Sequence, residues 1–119
     1  MKKTLILGAT PNSSRYAYRA AQLLTENGHP IVPVGIKKGD VFGEKILNHK
    51  QTQEDIHTVT LYVSDKHQSE WYDYIFETAP ERLIFNPGTE NKELAELARS
   101  KGIEVVEGCT LVMLNVGTF

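Results

Sequence analysis

The chain has one cysteine, Cys109, so no internal disulfide can staple it and no cysteine pair is available for a thiol metal site. Long hydrophobic runs are also missing. No apolar stretch approaches the roughly 20 residues that span a bilayer. Met1-Lys2-Lys3 is followed only by Thr4, Leu5, Ile6 and Leu7 before Gly8, too short an apolar core for a secretory leader. Charge of one sign does not dominate: 13 Lys and Arg stand against 15 Asp and Glu, a net charge of −2. No global field therefore draws a polyanion, and any phosphate must be held by a local site. These absences lead us to expect a cytoplasmic protein with no membrane and no nucleic-acid partner. Catalytic signatures are lacking as well, with no Ser-His-Asp set and no P-loop lysine motif. His29, His49, His57 and His67 stand apart among polar neighbours without metal-ligand spacing, and we read them as surface or loop residues. No catalytic residue and no metal site is expected.

What is present fits one domain over residues 1–119. At this length folding buries about two thirds of the unfolded chain's surface, enough for a core without staples. With 40% hydrophobic and 24% charged residues, the composition is that of an ordinary globular chain. Three apolar runs, Thr4 to Leu7, Ile31 to Val34 and Val59 to Val63, have the aliphatic, β-branched character of strands buried on both faces. Arg82 to Phe85 and Glu104 to Val106 are two further strands. Helical spacing fills the gaps. In Ser14 to Asn27, Ala17, Ala20, Ala21 and Leu24 share a face, with Ser13 or Ser14 to cap the start and Gly28 to close the end. Ser64 to Thr78 places Trp71, Tyr72, Ile75 and Phe76 on one face, and Asn91 to Lys101 does so with Leu94, Leu97 and Ala98. Thr110 to Asn115 can form a last short helix. Only Gly35 to His57 breaks the rhythm, as a polar loop with a short extended piece or turn of helix. The alternation predicts an α/β, Rossmann-like domain: a five-stranded, mainly parallel sheet with helices on both faces and the first strand placed centrally.

In such a sheet a ligand sits beyond the carboxyl ends of the strands. The first loop there reads Gly8-Ala9-Thr10-Pro11-Asn12-Ser13-Ser14, between a strand and a helix, where backbone amides and hydroxyls can receive a phosphate. Against the dinucleotide fingerprint G-x-G-x-x-G, Gly8 fits the first position, while Thr10 and Ser13 replace the other two glycines. Thr10 should push a phosphate outward or offer it a hydroxyl. NAD also wants a carboxylate at the end of the second strand, yet the chain has Lys37 and Lys38 there. Two lysines favour a ligand with an extra phosphate, either NADP or coenzyme A.

The opening Ile6-Leu7-Gly8-Ala9-Thr10-Pro11-Asn12-Ser13-Ser14-Arg15, the run Leu24 to Val34, the segment Val41-Phe42-Gly43-Glu44-Lys45-Ile46 and the end Ala95 to Cys109 carry a family resemblance. In their order and spacing the chain resembles the small bacterial CoA-binding proteins, whose fold is that of the amino-terminal CoA domain of the succinyl-CoA synthetase α subunit. The resemblance implies that Gly8 makes the first turn, that Ala9, Thr10, Asn12 and Ser13 face the ligand, and that Arg15 assists a phosphate. It puts Lys37 and Lys38 where the synthetase domain has a Gly-Lys-Gly loop, and Val63 and Ser64 beside the adenine or pantetheine. Coenzyme A is the implied cofactor. The chain departs from the family where Val34-Gly35-Ile36 replaces Val-Asn-Pro, and where Phe85-Asn86-Pro87-Gly88 lacks the usual tryptophan and glutamine. The synthetase's phosphorylated histidine belongs to a second domain, so ligase activity is not expected.

The leading expectation is a non-catalytic binding domain for coenzyme A or an acyl-CoA. The alternatives are an NADP-dependent reductase and an interaction protein that keeps the fold with an empty cleft. Cys109, after the fifth strand, is expected near the cleft but dispensable for binding. A homodimer or another protein partner is left open; Tyr74 is expected to be partly exposed on its helix, with a dimer contact as the alternative reading.

Overall fold

The computed structural model describes residues 1–119. Four segments, β1 (Thr4–Leu7), β2 (Ile31–Val34), β5 (Thr58–Leu61) and β6 (Arg82–Phe85), are buried at every residue, and the buried Thr58, Thr60 and Arg82 are hydrogen-bonded. With β7 (Glu104–Glu107) they form one fully parallel sheet in the order β2-β1-β5-β6-β7. Leu5 of β1 lies opposite Val32 on one side and Val59 on the other. β1 is therefore internal as expected, but the middle strand is β5, because β6 and β7 both add on its far side. β7 is an edge, and its Glu104 and Glu107 are exposed.

Parallel neighbours need crossovers, and these place helices on both faces. Ile6 packs with Ala17, Ala21 and Leu24 of α1 (Tyr16–Glu26) and Leu114 of α5 (Thr110–Val116). Leu5 and Leu7 face the other way, into a larger core. That core takes Tyr74 and Ile75 from α3 (Tyr72–Thr78) and Leu94, Ala95 and Ala98 from α4 (Lys92–Ser100). No helix is long and apolar enough to cross a membrane.

Local structure corrects the sequence reading at several points. The third predicted strand is Thr58–Leu61, not Val59 to Val63; Tyr62 still donates to the Leu7 carbonyl, and Val63 lies beyond in the loop. The N-cap of α1 is Arg15 and makes no side-chain cap, because Ser14 is turned back to Asn12. The helix expected over Ser64 to Thr78 is divided into α2 (Asp65–Gln68), a 3-10 turn (Ser69–Trp71) and α3. Gln68 and Trp71 are both buried, and a tighter turn aligns residues three apart. Tyr74 is only 2% exposed and its hydroxyl donates to the Gln51 carbonyl, so it cannot mark a dimer contact. Gly35 to His57 contains two extended pieces, the two-residue strands β3 (Asp40–Val41) and β4 (Glu44–Lys45), which pair antiparallel. Just after them Leu47 bridges to Val34 of β2. His49 and His67 are exposed, but His29 and His57 are half-buried at the amino end of the sheet.

Candidate functional site

At the end of β1 the chain turns at Gly8, whose φ is 97°. A side chain there would put its Cβ 2.8 Å from the Tyr62 carbonyl group, so the turn needs both the conformation and the missing atom. The Gly8 and Ala9 amides then both donate to the Val34 carbonyl, at 2.8 and 3.1 Å, tying the loop to the end of β2. Asn12 braces the rest of this loop. Its amide donates to the Thr10 hydroxyl, and its Oδ1 accepts from both the amide and the hydroxyl of Ser14. Ala9 and Thr10 are buried, so they border the cleft mainly through backbone, whereas Asn12, Ser13 and Arg15 are exposed.

The start of α1 has free donors. The amides of Ser13, Tyr16 and Ala17 find no acceptor in the protein, and the first turn carries no acidic residue. An eleven-residue helix with unpaired amides at its positive end is favourable for an anion.

The lysine loop comes off β2 beside this turn. The Gly35 amide donates to Leu47, and the Asn48 side-chain amide donates to the Gly35 and Lys37 carbonyls at 2.7 and 2.8 Å. Gly39, with φ of 138°, lets the loop close against Pro11, whose Cγ would be 3.1 Å from a Cβ at that position. That contact brings the two segments singled out in the sequence together. Lys37 and Lys38 are exposed, and Ile36 before them is 79% exposed.

Val63 borders the first turn, its Cγ2 3.1 Å from where a Gly8 Cβ would lie, and Ser64 is exposed as the N-cap of α2. The loop holding them is anchored by Gln68, whose Nε2 donates to the Val63 and Thr89 carbonyls while its Oε1 accepts from Asn91. Asn91 also caps α4 by accepting from the Leu94 amide. Under the last loop, Asn86 donates to the Thr60 hydroxyl and the Leu61 carbonyl and accepts from the Thr110 amide at 2.9 Å. The hydroxyls of Thr60 and Thr110 are hydrogen-bonded at 2.8 Å. The neighbouring Tyr62 hydroxyl is buried without a partner of ordinary geometry, and burial raises its pKa. Cys109, half-buried, is the N-cap of α5 beside this network.

Gln68, Asn91 and Asn48 were given no site role by the sequence reading, and Asn86 entered it only within Phe85-Asn86-Pro87-Gly88. Asn86 had a local signal, a polar amide immediately after a fully apolar strand. The others bond to residues at least 11 positions away in part of their networks, which no local pattern encodes.

No three His, Cys, Asp or Glu side chains are arranged to hold a metal ion. A depression of about 560 Å³ beside Ile56 and Ala79 is lined by Glu54, Asp55, Glu77 and Glu81, a carboxylate wall that repels phosphate.

With this geometry in place, comparison of the chain with protein families gives one decisive match: a family described as a CoA binding domain fits residues 2–115. The chain belongs to the CoA-binding-domain family. Its structure is similar to that of an uncharacterized protein solved by crystallography, at 56% identity and a TM-score of 0.99, covering 100% of this chain and 98% of that one. A hypothetical protein from Pyrococcus horikoshii is 26% identical, with a TM-score of 0.88 over 97% of this chain and 82% of its own. A Thermus thermophilus protein at 21% identity has a TM-score of 0.88 over 99% of this chain and 90% of its own, a likeness of fold alone. Among curated proteins none matches.

Proposed function

We propose that this CoA-binding domain holds coenzyme A, or an acyl-CoA, across the carboxyl ends of β1, β2 and β5 and performs no chemistry on it. One observation carries the reading: the Gly39–Pro11 contact sets two exposed lysines beside a helix start with unpaired amides. Two separated phosphate sites on one ligand are what such an arrangement serves. The pyrophosphate belongs at Asn12, Ser13, Arg15 and the start of α1, with Gly8, Ala9 and Thr10 shaping the turn. The 3′-phosphate of the ribose belongs at Lys37 and Lys38. Val63 and Ser64 would border the rest of the ligand.

NAD fits less well, since it has no phosphate for the lysines and would want a carboxylate there. NADP would satisfy the lysines. The groups around the cleft offer no proton donor paired with a hydride path, which is why a binding role is preferred to a reductase.

Calorimetry with coenzyme A and dephospho-CoA, which lacks the 3′-phosphate, tests the reading. A hydrogen-bonded ammonium contributes about 1.5 to 3 kcal/mol to holding a phosphate. Lys37→Ala with Lys38→Ala should therefore weaken coenzyme A about tenfold or more and leave dephospho-CoA nearly unchanged. Equal losses for both ligands would place the lysines against another part of the molecule. Failure of the unmutated chain to bind either ligand would remove the proposed function.

A further inference from the structure

We propose that Asn48 is a positioning residue that holds Lys37 and Lys38 ready for the ligand's terminal phosphate; this rests on the reading of the lysine loop as a phosphate site. Residues Gly35 to Gly39 leave the end of β2 with glycine at both ends, and their two lysines are exposed. Left alone, such a segment would sample many shapes, and ordering it on binding would subtract from affinity.

Asn48 removes that freedom from outside the loop. Its single Nδ2 donates to the Gly35 carbonyl at 2.7 Å and to the Lys37 carbonyl at 2.8 Å, using both of its protons. The segment that supplies Asn48 is itself fixed to β2. Leu47 donates to the Pro33 carbonyl at 2.9 Å and accepts from the Gly35 amide at 3.0 Å. The far end of the loop is held too, through the bond from the Ile46 amide to the Gly39 carbonyl and through Gly39 against Pro11.

Asn48 is exposed, so burial does not oblige it to find partners. Its two bonds fix the path of the loop instead. The geometry asks for two donors on one atom, which an amide supplies; aspartate would turn oxygen lone pairs toward two carbonyls. Pinning the Lys37 carbonyl aims the lysines without Asn48 touching the ligand.

The test uses the intact chain, with coenzyme A and dephospho-CoA measured by calorimetry and the fold checked by circular dichroism. For the unmutated chain coenzyme A should bind more tightly. Asn48→Ala should cut that preference about fivefold to tenfold, less than the loss of a whole charge-assisted contact because both lysines remain, with dephospho-CoA unchanged. Added to the Lys37→Ala, Lys38→Ala pair, it should have no further effect on coenzyme A, since there is nothing left to aim. If Asn48→Ala does not fold, Asn48→Leu, close in size, neutral and without donors, gives the same readout. An undiminished preference, equal loss of both ligands, or a further loss on the lysine-free background would overturn the positioning role while leaving the proposed function standing. Absence of binding by the unmutated chain would overturn both.

Discussion

At Gly8 a methyl group has no room, since its carbon would lie 2.8 Å from the backbone of Tyr62, in a conformation of φ 97° that side chains rarely adopt. Strain of that kind costs about 1 to 3 kcal/mol, and here a contact with backbone, which cannot swing aside, adds to it. Gly8→Ala should lower the unfolding free energy by about 2 kcal/mol or more in urea titration. A loss below about 0.5 kcal/mol, the range of neutral surface changes, would show that β1 and the Tyr62 loop can shift apart. Cys109 is the opposite case. It is half-buried at the N-cap of α5 and makes no side-chain cap bond, and serine is a better N-cap than cysteine. Cys109→Ser should hold or raise stability and leave coenzyme A affinity within twofold, about 0.4 kcal/mol. A tenfold loss would mean that the thiol reaches the ligand.

Between elements, the buried asparagine of the β6 loop does most to join strands to helices at the carboxyl end. Asn86 is 2% exposed and ties β5, through Thr60 and Leu61, to the first amide of α5 at Thr110. Asn86→Ala leaves the Leu61 carbonyl and the Thr110 amide buried without partners, at about 1 to 3 kcal/mol each. We expect a loss of about 3 kcal/mol in chemical denaturation, and a loss below about 1 kcal/mol would mean that water replaces the amide. Strands were legible in the sequence because runs such as Leu5-Ile6-Leu7 and Leu83-Ile84-Phe85 are buried on both faces, leaving no competing pattern. The break between α2 and α3 was not. Helical spacing at Trp71 and Ile75 continues through it, and only the distant partners of Gln68, at Thr89 and Asn91, impose the tighter turn. Tyr74 misled for a related reason: an aromatic beside Trp71 and Ile75 looked surplus to one helix face. The polar segment reaching Gln51 covers that side and takes its hydroxyl.

Across the whole molecule the two ends of the sheet differ, with the candidate site at the carboxyl end and a cluster of Lys2, Arg82 and two histidines at the amino end. Loop positions and the lysine pair were readable because βα connections fix where a short loop emerges, whereas the bonds from Asn48, 11 and 13 residues away, were not. At the amino end the Lys2 amide donates to His29 Nδ1, and Arg82 is buried with its guanidinium 4.4 Å from the Phe119 ring. His57 Nδ1 is hydrogen-bonded to the Thr58 hydroxyl at 2.7 Å. Burial lowers the pKa of both His29 and His57, reinforced by Lys2 and Arg82; for His57, Glu81 and Glu104 oppose the shift without reversing it. Both rings therefore stay neutral in the fold at a pH where the unfolded chain, with histidines near their usual value of about 6.5, already binds protons. Stability rises with pH across that window. The contribution is complete above about 6.5 and is lost as pH falls from there through the depressed folded values. The melting temperature should thus fall between about pH 7.5 and 5.5, before most carboxylates begin to protonate near 4. His29→Gln with His57→Gln should flatten the profile, because neither glutamine can take up a proton. A slope that survives both substitutions would trace the acid sensitivity to other groups and show that protonation of these two rings costs the fold little.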